Sequence, residues 1–153
     1  MKLQRRGVLR AGGALAAILA AGLLKPMAAL AATWHKEAFG AKTATDALRT
    51  LGAAGAEPSG AIIIEAPQIA ENGAVVPIEI TSNIPGTTSI AVLVEKNPFP
   101  LAAKFDFLDG ALPYVKLNAK MGETSDVRVV ATAGGKHYSA AKEIKVTIGG
   151  CGG

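Results

Sequence analysis

From residue 61 onward, apolar residues recur at every second position in short stretches separated by Gly, Pro and Asn, the period of half-buried β-strands. Residues 62–65 form the first candidate strand. Residues 74–81 follow a Glu71-Asn72-Gly73 turn and set Val76, Ile78 and Ile80 on one face. Residues 89–95 align Ile90, Val92 and Val94, and residues 104–108 offer Phe105 and Phe107. Residues 115–120 alternate Val115, Leu117 and Ala119 with Lys116, Asn118 and Lys120. The last two candidates are 127–132 and 143–148, the latter with Ile144, Val146 and Ile148 inward. Seven short strands in about ninety residues predict a mainly β protein, an immunoglobulin-like antiparallel β-sandwich. Asn72-Gly73 reads as a hairpin turn, and Lys96-Asn97-Pro98 with Pro100 as a loop between strands.

Ahead of the strands the period differs. Trp34, Ala38, Ala41, Leu48 and Leu51 fall mainly three and four apart, which predicts one or two short amphipathic helices over 33–51. Gly40 weakens the helix and Gly52 ends it. Residues 53–60, with three Gly or Pro among eight, read as a linker, so 32–60 is a helical segment and linker and 61–148 the sandwich.

The first 31 residues have the form of an export signal: Arg5 and Arg6 followed by Val8, Leu9 and Arg10, an apolar run over 11–24, and Ala29-Leu30-Ala31 as a cleavage site. The paired arginines resemble a twin-arginine signal, a route for folded proteins, with cleavage near Ala31 and a periplasmic destination. The apolar run is 14 residues, short of the roughly 18 that make a membrane span, so no stable anchor is expected.

Removing the signal changes the charge picture. Five of the sixteen basic residues and none of the twelve acidic ones lie in it, which leaves eleven against twelve and a formal charge of −1. No basic stripe remains, and Trp34, Tyr114 and Tyr138 are scattered, so a nucleic-acid footprint is absent. His35 and His137 have no spacing that suggests zinc or haem, and each reads as an ordinary solvent-facing residue. Trp34, Phe105, Phe107 and Met121 read as structural.

One cysteine remains, Cys151, between Gly149-Gly150 and Gly152-Gly153. An exported protein with a single cysteine cannot close an internal disulfide, so the thiol pairs between molecules or stays reactive. Glycine lacks Cβ, and a run of it is a thin, flexible arm. From Ile148 to Cys151 it reaches roughly 10 Å when extended. No nucleophile, base and orienting group accompany the thiol, so no catalytic residue is assigned. The alternatives are a tethered carrier and an exported adaptor using Cys151 for an intermolecular disulfide.

The ending Lys145-Val146-Thr147-Ile148-Gly149-Gly150-Cys151-Gly152-Gly153 resembles the SoxY family, the sulfur carriers of the bacterial Sox thiosulfate-oxidising system. Similar stretches begin at Glu65-Ala66-Pro67, Val94-Glu95-Lys96 and Met121-Gly122-Glu123, and with the signal they extend the resemblance over nearly the whole chain. It implies that Cys151 is the covalent attachment point for sulfur intermediates, processed by separate enzymes while attached. The implied partners are a SoxZ-like subunit in a heterodimer and, transiently, a haem-containing conjugating enzyme, a manganese-dependent sulfate-releasing hydrolase and a sulfane dehydrogenase. The chain itself would be a non-catalytic carrier without a cofactor.

Overall fold

A computed structural model describes residues 35–147; Trp34, Ile148, the glycine arm with Cys151, and the segment holding Arg5 and Arg6 lie outside the described residues. The helical stretch is two helices, α1 (Lys36–Gly40) and α2 (Ala44–Thr50). The chain is extended at Ala41, just past Gly40. Thr43 then caps α2: its hydroxyl oxygen accepts the Asp46 amide at 3.0 Å, while its own proton goes to the Asp46 carboxylate at 2.7 Å. At the other end Gly52 sits at φ +72, with Gly52 N–H bonded to Arg49 O at 3.0 Å and Ala53 N–H to Leu48 O at 2.8 Å. That paired closure needs a left-handed residue, which glycine adopts without strain.

The strands are β1 (Glu57–Pro58), β2 (Ile62–Glu65), β3 (Ile69–Ala70), β4 (Val76–Ser82), β5 (Thr87–Val94), β6 (Leu101–Asp106), β7 (Tyr114–Ala119), β8 (Ser125–Ala133) and β9 (Lys136–Val146). The larger sheet runs β1-β9-β8-β5-β6, with β3 also on β9, and the smaller runs β2-β4-β7. The architecture is the immunoglobulin-like antiparallel sandwich that the period predicts. Two elements are additional: β1 and β3 are two-residue bridges, both parallel to β9. So the stretch 53–60 is more than a connection, because Glu57 and Pro58 lie on the larger sheet.

Val76, Ile78 and Ile80 of β4 face Ile90, Val92 and Val94 of β5 and Val127, Val129 and Ala131 of β8, all fully buried between the sheets. Phe105 and Phe107 pack against this core from its margin, and Met121 is completely buried in it. A second core lies on the outer face of the larger sheet. There Ala91, Leu93, Leu101 and Val130 meet Ala38, Ala47 and Ala53. Alanine at the contact lets short helices approach closely, and the result is a third layer over the sheet.

β8 and β9 form a hairpin through Gly134 (φ +56) and Gly135 (φ +75), with Ala133 opposite Lys136. Two successive left-handed residues give a turn that matches strand twist. β9 therefore begins seven residues earlier than its alternation suggests. Asn72-Gly73, by contrast, is not a hairpin turn: β3 lies on β9 and β4 in the smaller sheet, so the turn carries the chain between sheets. Asn72 Oδ1 accepts the Ala74 amide at 2.8 Å, and Gly73 O accepts that of Met121 at 2.7 Å. His137 is half-buried rather than solvent-facing, its Nδ1 3.0 Å from Thr132 Oγ1.

Candidate functional site: the arm-bearing end of the sandwich

Strand β9 ends at Val146, five residues before Cys151 in the sequence, and the last described residues, 145–147, are held from both sides. On one side Lys145 N–H donates to Gln68 O at 3.0 Å and Thr147 N–H to Ala70 O at 3.1 Å. The Thr147 hydroxyl adds a bond to Glu71 O at 3.1 Å. On the other side Val146 N–H donates to Thr124 Oγ1 at 2.9 Å. Below them Ile144 is fully buried opposite Ser125. Edge amides that would otherwise be open to water are thus satisfied through residue 147. Cys151 and Gly149, Gly150, Gly152 and Gly153 lie beyond, outside the described residues.

Three loops share this end: 71–75, 95–100 and 120–124. Asn97 joins two of them, its Nδ2 donating to Lys120 O at 2.7 Å and its Oδ1 accepting the Gly122 amide at 3.2 Å. Lys96 N–H donates to Ser125 Oγ at 3.1 Å, at the start of β8. Asn97, Pro98, Phe99, Lys120 and Gly122 line a mainly apolar concavity of about 360 Å³. Phe99 is 49% exposed. Lys42 Nζ, from the loop between the helices, stands 3.6 Å from its ring centroid. A larger concavity, about 380 Å³, lies at the opposite end beside exposed Leu108 and is remote from the arm root.

The strongest electrostatic grouping is elsewhere, on the outer face of the smaller sheet. Glu79 accepts from Lys116 Nζ at 2.6 Å and from Tyr114 Oη at 2.7 Å. Hydrogen bonds from Lys116 and then Tyr114 hold the Glu79 carboxyl below the ordinary value. The same bonds raise Lys116 and Tyr114, in each case chiefly through Glu79. The exposure of this trio suits it to a register lock across β4 and β7 more than to proton transfer.

Among the described residues no three His, Cys, Asp or Glu side chains are grouped to hold a metal ion. No described helix is long and apolar enough to cross a membrane. The anchors Gln68, Ala70, Glu71 and Thr124 carry no local signal, since three of them contribute only backbone oxygens. Asn97 was visible only as a turn residue; its bridging of two loops is a tertiary fact.

The family model for Sulfur oxidation protein SoxY matches residues 48–151. Among solved structures, the sulfur carrier protein SoxY from Chlorobium limicola f thiosulfatophilum is 47% identical, with TM-score 0.56 over 60% of this chain and 84% of that one. The superoxide reductase (neelaredoxin) from Ignicoccus hospitalis matches with TM-score 0.50 at 20% identity, over 56% of this chain and 79% of that one. At that identity the likeness concerns the fold alone. No curated protein matches.

Proposed function

This chain belongs to the SoxY family of sulfur oxidation proteins, and from that premise we propose that it is a periplasmic covalent carrier of sulfur intermediates, attached at Cys151. The observation that carries the reading is the clamped end of β9. Bonds from Thr147 to Ala70 and Glu71, and from Val146 to Thr124, fix the root of a segment whose sole thiol lies four residues further on. A rigid root with a glycine arm presents one sulfur to several active sites in turn. The family match, which ends at residue 151, supports the same assignment.

The proposed loading step joins the Cys151 thiolate to the outer sulfur of thiosulfate, giving Cys–S–S–SO3⁻ and releasing two electrons to a haem-containing enzyme. Water then cleaves the terminal S–S bond at a manganese-dependent hydrolase, which releases sulfate and two protons and leaves Cys–S–S⁻. A sulfane dehydrogenase oxidises the sulfur that remains. In this scheme the chain does no catalysis itself. An ordinary exposed cysteine is only about three per cent thiolate at pH 7, so activation falls to each enzyme's pocket. That suits a carrier, because a thiol reactive everywhere would form stray disulfides between encounters.

A SoxZ-like subunit is the proposed stable partner. β6 and β7, which end their sheets, offer it edges to cover. The signal carrying Arg5 and Arg6 would export the folded pair, with cleavage near Ala31. The test is the intact mass of the protein from the periplasm of thiosulfate-grown cells, with and without reductant. Reducible sulfur, sulfonate or thiosulfate additions mapping to Cys151 are expected. Only unmodified protein or a Cys151-linked dimer would replace the carrier with the disulfide adaptor.

A further inference from the structure

We infer that Lys142 is a positioning residue for the carried sulfur: its ammonium ties the segment 64–68 to β9 across the seam between the two sheets, and through that segment it fixes the root of the arm. This deepens the carrier reading above and rests on it.

Phase along the strand sets the direction of the side chain. Tyr138, Ala140, Ile144 and Val146 pack in or against the core between the sheets, and Lys142 falls in the same alternation. A half-buried lysine in such a row runs its stem along the core margin and carries its charge outward. Among the described residues no carboxylate pairs with that charge. Lys142 Nζ instead donates to Ala66 O at 2.8 Å and stands 3.5 Å from Ile64 O.

The need for a side-chain donor follows from the topology. β2 ends the smaller sheet and β9 belongs to the larger, so no ladder joins them. Lys145 N–H to Gln68 O and Thr147 N–H to Ala70 O lay β3 along β9. One step back Pro67 has no N–H to give, and the chain there is still on its way from β2. Lys142 takes the Ala66 carbonyl at that point, so the ties from 142 to 66, from 145 to 68 and from 147 to 70 form one row. The first is made by a side chain and the other two by the backbone.

The last residues of a strand open at small cost, and a hydrogen bond from a charged group shifts such an equilibrium by about ten- to a hundred-fold. From Thr147 to Cys151 the tether is four residues; with 145–147 released it is seven, counted from buried Ile144. Effective concentration falls roughly as the −3/2 power of tether length, so the presence of the sulfur in a docked enzyme's cleft drops roughly two-fold.

Two variants test this. Lys142→Met keeps a long stem and removes the charge, whereas Lys142→Arg keeps the charge and the donors. In Lys142→Met, hydrogen exchange at the Lys145 and Thr147 amides should accelerate about ten-fold or more while the amides of β5 keep their protection. Tetrathionate loads Cys151 when the thiolate opens its central S–S bond, giving Cys–S–S–SO3⁻ and free thiosulfate, and this reaction should proceed as before. Turnover of thiosulfate by the reconstituted enzymes, relative to that loading, should fall roughly two-fold, and Lys142→Arg should restore both readouts. Unchanged exchange in Lys142→Met overturns the inference, as does fast exchange with an unchanged ratio, or a loss that Lys142→Arg shares. Where Lys142→Met does not fold, proton exchange at Nζ of the parent chain decides: slow exchange at Lys142 beside fast exchange at exposed Lys36 is expected, and equal rates overturn the tie. A parent chain that tetrathionate loads but the enzymes never turn over sinks the carrier reading and with it the positioning role, whatever the exchange shows.

Discussion

The amide of Val146 donates to the hydroxyl of Thr124 at 2.9 Å, tying the strand that leads to Cys151 to the loop that enters β8. Thr124→Val keeps the shape and removes the acceptor, leaving a half-buried N–H with no partner. The expected cost is about 1 kcal/mol. Hydrogen exchange at the Val146 amide should accelerate while the amides of β5 keep their protection. Unchanged exchange at Val146 would show that the bond does not hold the root.

Gly135 has φ +75 at the β8–β9 turn, yet a Cβ built there meets nothing within 4 Å. Any cost of Gly135→Ala is therefore conformational and not steric crowding. A destabilisation of about 1 kcal/mol is expected, because alanine pays to occupy the left-handed region. Urea unfolding of Gly135→Ala beside Gly40→Ala, where the space is also open but φ is not positive, separates the two causes. Equal midpoints for the two variants would refute the assignment.

Glu79, Lys116 and Tyr114 give a pH dependence with a definite sign. Glu79 is held below its usual 4.5, mainly by the Lys116 hydrogen bond, so folding favours its ionised form. Its contribution is complete above the unfolded-state value and is lost as pH falls through the lowered folded value. Lys116 and Tyr114 are raised above 10.5 and 10.0, so theirs are complete below those values and lost as pH rises through the folded ones. In Glu79→Gln the ultraviolet titration of Tyr114 should move down towards its usual value, with Tyr114→Phe identifying the signal against Tyr138. A titration indifferent to Glu79 would contradict the bond.

Period two was enough to locate most of the sandwich, because Val76, Ile78 and Ile80 alternate cleanly with polar or exposed neighbours. It reads only one side of β5 and β8. The run Ile90-Ala91-Val92-Leu93-Val94 is apolar without a break because both faces are covered, one by the smaller sheet and one by the helices. The first half of β9, Lys136 to Lys142, shows no alternation because Tyr138 and Ala140 are only partly buried at the core margin. The bridges β1 and β3 are set by contact with β9 across some eighty residues of sequence, and two residues carry no period. Asn72-Gly73 misleads because Asx-turn chemistry specifies a reversal of the chain, not which strands it joins. The GGCGG arm was legible as chemistry, while its anchorage, made largely of backbone oxygens, has no side-chain signature.

The glycines flanking Cys151 lead to the most discriminating substitutions for the carrier reading. Gly150→Val and Gly152→Val leave the thiol in place, so loading by tetrathionate, a small free reagent, should proceed nearly as before. Each adds a β-branched side chain, which narrows the backbone's conformational range and thickens the segment that must enter an enzyme's cleft. Because a small misplacement of the reacting atoms is costly, turnover of thiosulfate by the reconstituted enzymes should fall by about ten-fold or more. Cys151→Ser should lose both reactions with its unfolding midpoint unchanged. The informative comparison is the ratio of enzymatic to chemical loading, since a merely unstable protein would lose the two together. If both valine variants support turnover at the parent rate, a narrow channel has no part in how the carried sulfur is presented.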